Sequence, residues 1–319
     1  MSAATVRSPN KTLFQKLGSS RKLRNIGRRW QLILMFLPPL AWYIIFHYVP
    51  MYGIQIAFRD FNPRLGFLRS PFVGLRHFER FFSSFYVWQV IWNTLAINIY
   101  QVLFAFPAPI ILALIINEIR TKFFKKALQN ITFVPFFLSV VVTVSMVHMF
   151  LNPNFGVVNH FIAWLGFDRI GFMESHRYFR GVFVISGIWE NVGFNSIIYI
   201  AALAGIDTGL YEAANIDGAS RVRKIWHVSL PGILPVIVTL FIMRMGSMLS
   251  VGFERAFLMQ NPLNMQHSDV IQTLVFRTGI LDGNFGYAAA VGLMNSVLSL
   301  GLVVCVNALS KRVTQNSLW

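Results

Sequence analysis

The chain has one cysteine, Cys305, so no internal disulfide can hold it together. Carboxylates are scarce as well: 12 Asp and Glu stand against 28 Lys and Arg in 319 residues, for a formal net charge of +16. No stretch supplies G-x-x-x-x-G-K-[ST], so the chain has no recognisable loop of its own to cradle nucleotide phosphates. His-x-x-x-His pairs, paired cysteines and acidic clusters of metal-site spacing are missing from the apolar segments, and catalysis there has no constellation to rest on. Charge of either sign is rare, at 13% of residues against 55% apolar with 31 Phe. Such a chain has too little polar surface to cover a water-soluble globule.

What is present is a series of long apolar runs. Six can be counted, over 32–57, 87–116, 128–151, 179–204, 232–258 and 285–309. At about 1.5 Å of rise per residue each can cross a hydrocarbon layer roughly 30 Å thick. Backbone groups in lipid find no water, so the runs must be helices or a closed barrel, and they are too long and too evenly apolar for barrel strands. The expected fold is all-α, a polytopic transmembrane bundle of about six spans.

The excess positive charge could point to nucleic acid, but its distribution argues against that partner. Residues 1–30, loops 117–130 and 205–231 and the tail hold seventeen Lys and Arg, while the alternate connections hold nine. Basic residues collect on the cytoplasmic side, so both termini are expected there. The first apolar run is longer than a signal-peptide core and lacks a small-residue cleavage site, which favours an uncleaved first span. The expected organisation is a basic N-terminal segment over 1–30, a membrane domain over 31–310 containing loop 205–231, and a tail over 311–319. Membrane lipid is then an obligatory neighbour.

Ionisable residues within the spans are few and costly, and each is expected to face protein or water. They are His148, Glu190, Arg244, Glu254 and Arg255, the last two expected near the outer end of the fifth span. Two readings stay open: a structural pair such as Glu190 with Arg244, or a polar substrate path.

Loop 205–231 is unusually polar for its surroundings: residues 211–235 read "YEAANIDGASRVRKIWHVSLPGILP". Asp207 or Thr208 can cap a short helix, and Gly218 can adopt positive φ for a sharp turn. A second short helix with Val222, Ile225 and Trp226 on one side then leads to "LPGILP", where the next span begins.

Its spacing is E-A-A, three residues, G, nine residues, then V-S-L-P, and this resembles the EAA loop of ABC importer permeases with Val228 in the usual Ile place. The segments "LPPLAWYIIFHYVPMYGIQIAFRDF", "FVGLRHFERFF" and "WNTL" are similar to maltose-type sugar permeases, most of all to those for complex oligosaccharides such as alginate or pectin fragments. The resemblance implies a multi-pass subunit of the bacterial cytoplasmic membrane that is not itself an enzyme. It implies a second homologous permease, two ATPase subunits that hold the ATP and Mg, and an extracytoplasmic solute-binding protein. The coupling residues it implies are Glu212, Ala213, Ala214, Gly218, Leu230 and Pro231, docked as a helix in a cleft of the ATPase.

Counting from the EAA loop, the family's sugar contacts fall at Glu190, Asn191 and Phe194 before it and at Arg244, Ser247, Met248 and Val251 after it. The last four recur at i, i+3, i+4 and i+7, the spacing of one helix face. Phe194 would stack on a pyranose, and Asn191 and Ser247 would bond hydroxyls. Arg244 departs from the family's small polar residue, and a guanidinium grips a carboxylate with two parallel hydrogen bonds. An acidic oligosaccharide is therefore expected, with a neutral one as the alternative within the family. A stand-alone ion-coupled carrier is the alternative outside it, and would leave the EAA loop without a role.

Overall fold

The structure, a computed structural model, describes residues 30–314. The expected basic segment 1–30 thus lies outside the described residues except for Trp30, as does the end of the expected tail 311–319 from Gln315 on. The chain divides into two units at Gln55/Ile56. Among the described residues the regular structure is helical, apart from one antiparallel bridge between Arg59 and Phe72. Among the described residues five helices are long and apolar enough to cross a membrane, or six if a bent pair counts as one span.

The first span, Trp30–Phe58, is α-helical to Tyr43 and narrows to a 3₁₀ helix over Tyr52–Phe58. The second, Phe85–Glu118, has a π-helical turn over Gln101–Ala105, where the Phe106 amide donates to the carbonyl of Gln101 at 2.8 Å. Pro107 and Pro109 have no N–H for the carbonyls four residues earlier, so the ladder loosens where the wider turn forms.

The third run is not one rod. Lys122–Phe137 and Val140–Leu151 meet at 103°. Pro135 sits in the first turn of a 3₁₀ helix over Val134–Phe137, Leu138 and Ser139 are extended, and the Ser139 hydroxyl accepts from the Val142 amide at 3.4 Å to cap the next helix. The fourth span, His176–Ala204, is a single 29-residue helix capped by Ser175. In the connection between the third run and the fourth span, the expected short helix over 157–164 is present, with Trp164 exposed.

The fifth span ends earlier than the sequence suggested. It runs Arg221–Gly246, not to residue 258, and a turn over 247–252 separates it from a short helix, Phe253–Met259. Gly252 sits at φ +96°, a conformation no other residue type takes without strain. Gln272 holds the turn by donating to the Leu249 carbonyl at 3.1 Å. Glu254 and Arg255 therefore lie on that separate helix rather than on the span. The sixth span, counted from Phe285, continues helically to Thr314.

From Ile56 on, the spans are joined by three buried apolar clusters. One gathers Ile97, Phe179, Phe183 and Val251 with the 253–259 helix; a second joins Phe81, Val90, Leu274 and Tyr287 around the short helix Arg76–Ser83; a third joins Ile110, Tyr199, Leu203 and Ile233 beside loop 205–231. Close approach depends on glycine at Gly193, where a Cβ would overlap the carbonyl of Thr132 on the third run. The remaining large side chains, such as Trp92, Phe104, Ile185 and Leu300, are exposed, as a helix bundle facing lipid tails requires.

Candidate functional site

A cavity of about 810 Å³ opens between the second, fourth and fifth spans and the 253–259 helix. Its polar lining is Gln101, Asn191, Asn195, Arg244, Glu254 and Arg255, and Phe106, Phe183 and Tyr199 supply apolar wall. Mixed apolar walls with a few convergent polar groups are the makeup of small-molecule sites.

Arg244 sits on the last turn of the fifth span and reaches across to the second. Its Nη2 donates to Asn98 Oδ1 at 3.2 Å and to Gln101 Oε1, and its Nη1 donates to the Ser247 hydroxyl at 3.3 Å. Asn98 is fully buried and anchored by its own amide, which donates to the Thr94 carbonyl at 2.9 Å. The π turn aims Gln101 into the cavity. Every partner of Arg244 here is neutral.

Glu190 belongs to Arg255. Among the described residues the ion pairs are Glu190 with Arg255 and Asp269 with Arg277, and the expected alternative of Glu190 with Arg244 is not formed. Arg255 also lies 5.9 Å from the Phe183 ring centre and against Gly187, where a Cβ would meet its Nη1 at 2.5 Å. The absence of a side chain one turn before Glu190 makes room for the guanidinium. Burial pushes the Arg255 guanidinium below its ordinary range, while Glu190 supplies the neutralising charge.

The other counted positions divide. Asn191 and Val251 line the cavity. Glu190 is buried in its ion pair and does not line it. The Phe194 ring stacks on Phe136 at 3.8 Å between centres, so that face is already covered and the ring is not part of the cavity wall. Arg244, Ser247, Met248 and Val251 do not share a helix face, because the helix stops at Gly246. Ser247 instead orients Arg244, accepting from its guanidinium and donating to its carbonyl at 2.9 Å. Met248 sits half-buried in the turn and away from the cavity. Sequence counting missed Asn98, Gln101 and Asn195; the signal available was amide side chains inside otherwise apolar runs, as in "NTLAINIYQVLF".

Loop 205–231 forms the two short helices expected of it, Thr208–Ile216 and Arg221–Lys224. Asp207 caps the first by accepting from the Gly209 amide at 2.9 Å. Gly218 ends it at φ +69°, with Ala219 N–H donating to Ala214 O at 2.9 Å and Gly218 N–H to Asn215 O at 3.1 Å. Those two bonds are a Schellman motif, which satisfies the last carbonyls and places glycine where positive φ is needed. Lys224 donates to Asn215 at 2.8 Å across the turn, and Tyr211 bonds Ser229 at 2.9 Å, tying the loop to the fifth span. Glu212 and Ala213 are exposed, Ala214 is half-buried, and Leu230 and Pro231 open the membrane helix. Leu210, Ile216, Val222 and Trp226 are also exposed.

Residues 105–315 match the family described as binding-protein-dependent transport system inner membrane component. The chain belongs to this family. The permease is 37% identical over 321 residues to the polygalacturonan/rhamnogalacturonan transport system permease protein YteP of Bacillus subtilis, covering 100% of both chains. It is 40% identical over 291 residues to protein LplB of Bacillus subtilis, covering 91% of each. Its fold superposes with a TM-score of 0.86 on a chain of a bacterial ABC transporter involved in import of the acidic polysaccharide alginate, at 39% identity over 92% of the permease and 100% of that chain. A second structure, of the bacterial alginate transporter with an alginate pentasaccharide-bound periplasmic protein, gives the same TM-score at 38% identity. The all-helical, multi-pass fold inferred from the apolar runs is the fold of these permeases.

Proposed function

We propose that this permease subunit carries acidic, uronate-containing oligosaccharides through an ATP-driven importer, with the central cavity as its binding site. The observation that carries the proposal is Arg244: a cation lining the cavity, held by Asn98, Gln101 and Ser247, with no carboxylate of the described residues paired to it. Isolated charge in a membrane protein is expensive, so a guanidinium left without a counter-charge is poised to receive one from a ligand. Neutral partners fix its direction without spending its charge. Asn191 and Asn195 line the same cavity and suit hydroxyl groups. The relatives named for polygalacturonan and alginate transport are consistent with that cargo.

In this reading the chain performs no covalent chemistry. It joins a second permease and two ATPase subunits that bind ATP and Mg, and receives sugar from an extracytoplasmic solute-binding protein. Loop 205–231 faces the cytoplasm with both termini. Glu212, Ala213, Ala214 and Gly218 dock on the ATPase, and Leu230 and Pro231 transmit its closure into the fifth span. The exposed apolar side chains of the loop are the surface such docking would cover.

Reconstituted importer supplied with its binding protein tests the cargo. Uptake and stimulated ATP hydrolysis are expected with oligogalacturonate or oligoalginate, and little of either with the same oligomers after reduction of their carboxyl groups. Equal uptake of the reduced, neutral oligomers would overturn the acidic reading.

A further inference from the structure

Beyond the central cavity, a second pocket of about 360 Å³ is lined by Tyr100, His176, Arg177, Arg180, Gly181 and His267. It lies at the start of the fourth span, beside the connection that carries His267, and no carboxylate lines it. Arg180 donates from Nη2 to Asn93 Oδ1 at 3.0 Å, while its buried Nε has no partner. Asn93 is itself fixed by donating to the carbonyls of Gln266 at 2.8 Å and Asp269 at 3.1 Å. His267 sits with Nδ1 2.9 Å from the His176 carbonyl, and the two imidazoles meet edge to face at 4.8 Å.

Arg180 repeats the arrangement of Arg244. Each guanidinium comes from a different span, each is held by a buried asparagine of the second span, and neither is paired with a carboxylate. Arg255 and Arg277, by contrast, are neutralised by Glu190 and Asp269. The spaces these two guanidiniums line lie along the same second and fourth spans. Tyr100 faces the smaller pocket and Gln101 the larger, and Gly181 is followed on the same helix by Phe183, Val184 and Gly187 of the larger. From Arg180 to Gly187 the helix rises about 10 Å, a short step for a chain molecule that carries a carboxylate on successive units.

We propose that this smaller pocket is an outer subsite for a second carboxylate of the same oligosaccharide, with Arg180 as its principal ligand and Arg177 at its rim. The inference rests on the reading of the cargo as a uronate oligomer. A sugar with one carboxylate at Arg244 would then place another at Arg180, so an oligomer is held at two points and a monomer at one. The positive N-terminus of the 29-residue helix adds to the attraction.

The test uses the assembled importer in phosphatidylcholine vesicles, with galacturonate trimer and its carboxyl-reduced form as probes. Arg180→Gln should raise KM for the trimer about tenfold, the scale of one lost charge-assisted hydrogen bond. It should leave kcat within about twofold, the small residual uptake of the reduced trimer should not change, and Arg180→Lys should recover part of the loss. Arg177→Gln, at an exposed position, should act in the same direction more weakly and carries the test if Arg180→Gln fails to insert.

An unchanged KM for the trimer in the variants that insert, with wild-type import intact, overturns the subsite alone. A parallel loss for trimer and reduced trimer marks a structural role for Arg180 and overturns it too. An effect seen only when the vesicles contain anionic lipid assigns the pocket to a headgroup and likewise overturns the subsite. If the wild-type importer takes the reduced trimer as well as the trimer, the reading of the cargo fails first.

Discussion

The carboxylate of Glu190 is paired with the guanidinium of Arg255, and Arg244 is left with amides and a hydroxyl. Arg255 comes from beyond the break after Gly246, so a residue that sequence spacing assigns to the far end of a span folds back beside the fourth. This pairing neutralises one cation at the cavity and leaves the other with no carboxylate paired to it among the described residues.

Removing one member of the Glu190–Arg255 pair strands the other. Glu190→Gln is expected to destabilise the permease by about 3–5 kcal/mol, because a buried charge loses its partner. Glu190→Gln with Arg255→Met should recover most of that loss. Thermal unfolding of the four proteins in one detergent closes the double-mutant cycle, and additive losses would show that the two residues do not interact.

At Arg244 the geometry of the cation should matter as well as its charge. Arg244→Gln is expected to weaken uronate oligomer binding about 10- to 100-fold. Arg244→Lys should restore only part of it, since an ammonium cannot keep the fork that Asn98, Gln101 and Ser247 orient. Titration calorimetry with a defined uronate oligomer would separate the two, and equal affinity for Lys and Arg variants would remove the argument from fork geometry.

Gly193 permits the fourth span to touch the backbone of the broken third run at Thr132. Gly193→Ala must push that contact apart, so lower thermal stability and poorer recovery from the membrane are expected than for Gly181→Ala, where a Cβ has open space. Equal stability of the two variants would show that the close approach is not needed.

Variants in the loop should separate folding from the proposed coupling. Glu212 is exposed, so Glu212→Ala should insert and fold normally while transport falls relative to ATP hydrolysis. At Gly218 the positive φ makes Gly218→Ala cost about 1 kcal/mol, and Gly218→Pro, locked to negative φ, should abolish transport. Normal uptake by the proline variant would refute a coupling role for the turn.

Burial lowers the His267 pKa below the ordinary histidine value, with the positive fields of Arg180 and His176 acting in the same direction against the hydrogen bond to the His176 carbonyl. Arg177 and Arg180 share the pocket with it. A base with a depressed folded pKa takes up a proton more readily when unfolded, so this contribution to stability is present above about pH 6.5 and fades as the pH falls below it. Unfolding temperatures between pH 7.5 and 5 should drop less for His267→Gln than for wild type.

How far the sequence could be read depended on the kind of force involved. Hydrocarbon imposes one demand on every backbone group, so apolar length alone located the six runs, and the ends of the fourth and sixth fell within a few residues of the helices. The turn at Gly218 was legible because positive φ is a local property that few residues other than glycine take easily. The break after Gly246 was not, because "GSMLSVG" stays apolar enough to continue a helix and the turn is tied down by Gln272, from the next segment. The 103° bend at Leu138 was hidden in the same way, with Pro135 as a cue that fits a straight kinked helix equally well.

For the candidate site, the available chemistry was legible in the sequence: two arginines and a glutamate in the fifth apolar run, amides in the second and fourth, and a polar loop whose spacing marks a permease. Tertiary structure decided who meets whom. It gave Glu190 to Arg255, closed Phe194 against Phe136, and set Asn98 and Asn93 under Arg244 and Arg180. A charge buried near lipid must be satisfied by something, but composition states only that requirement. Which partner satisfies it depends on where distant helices break and bend, and those choices are made by packing between segments far apart in the chain.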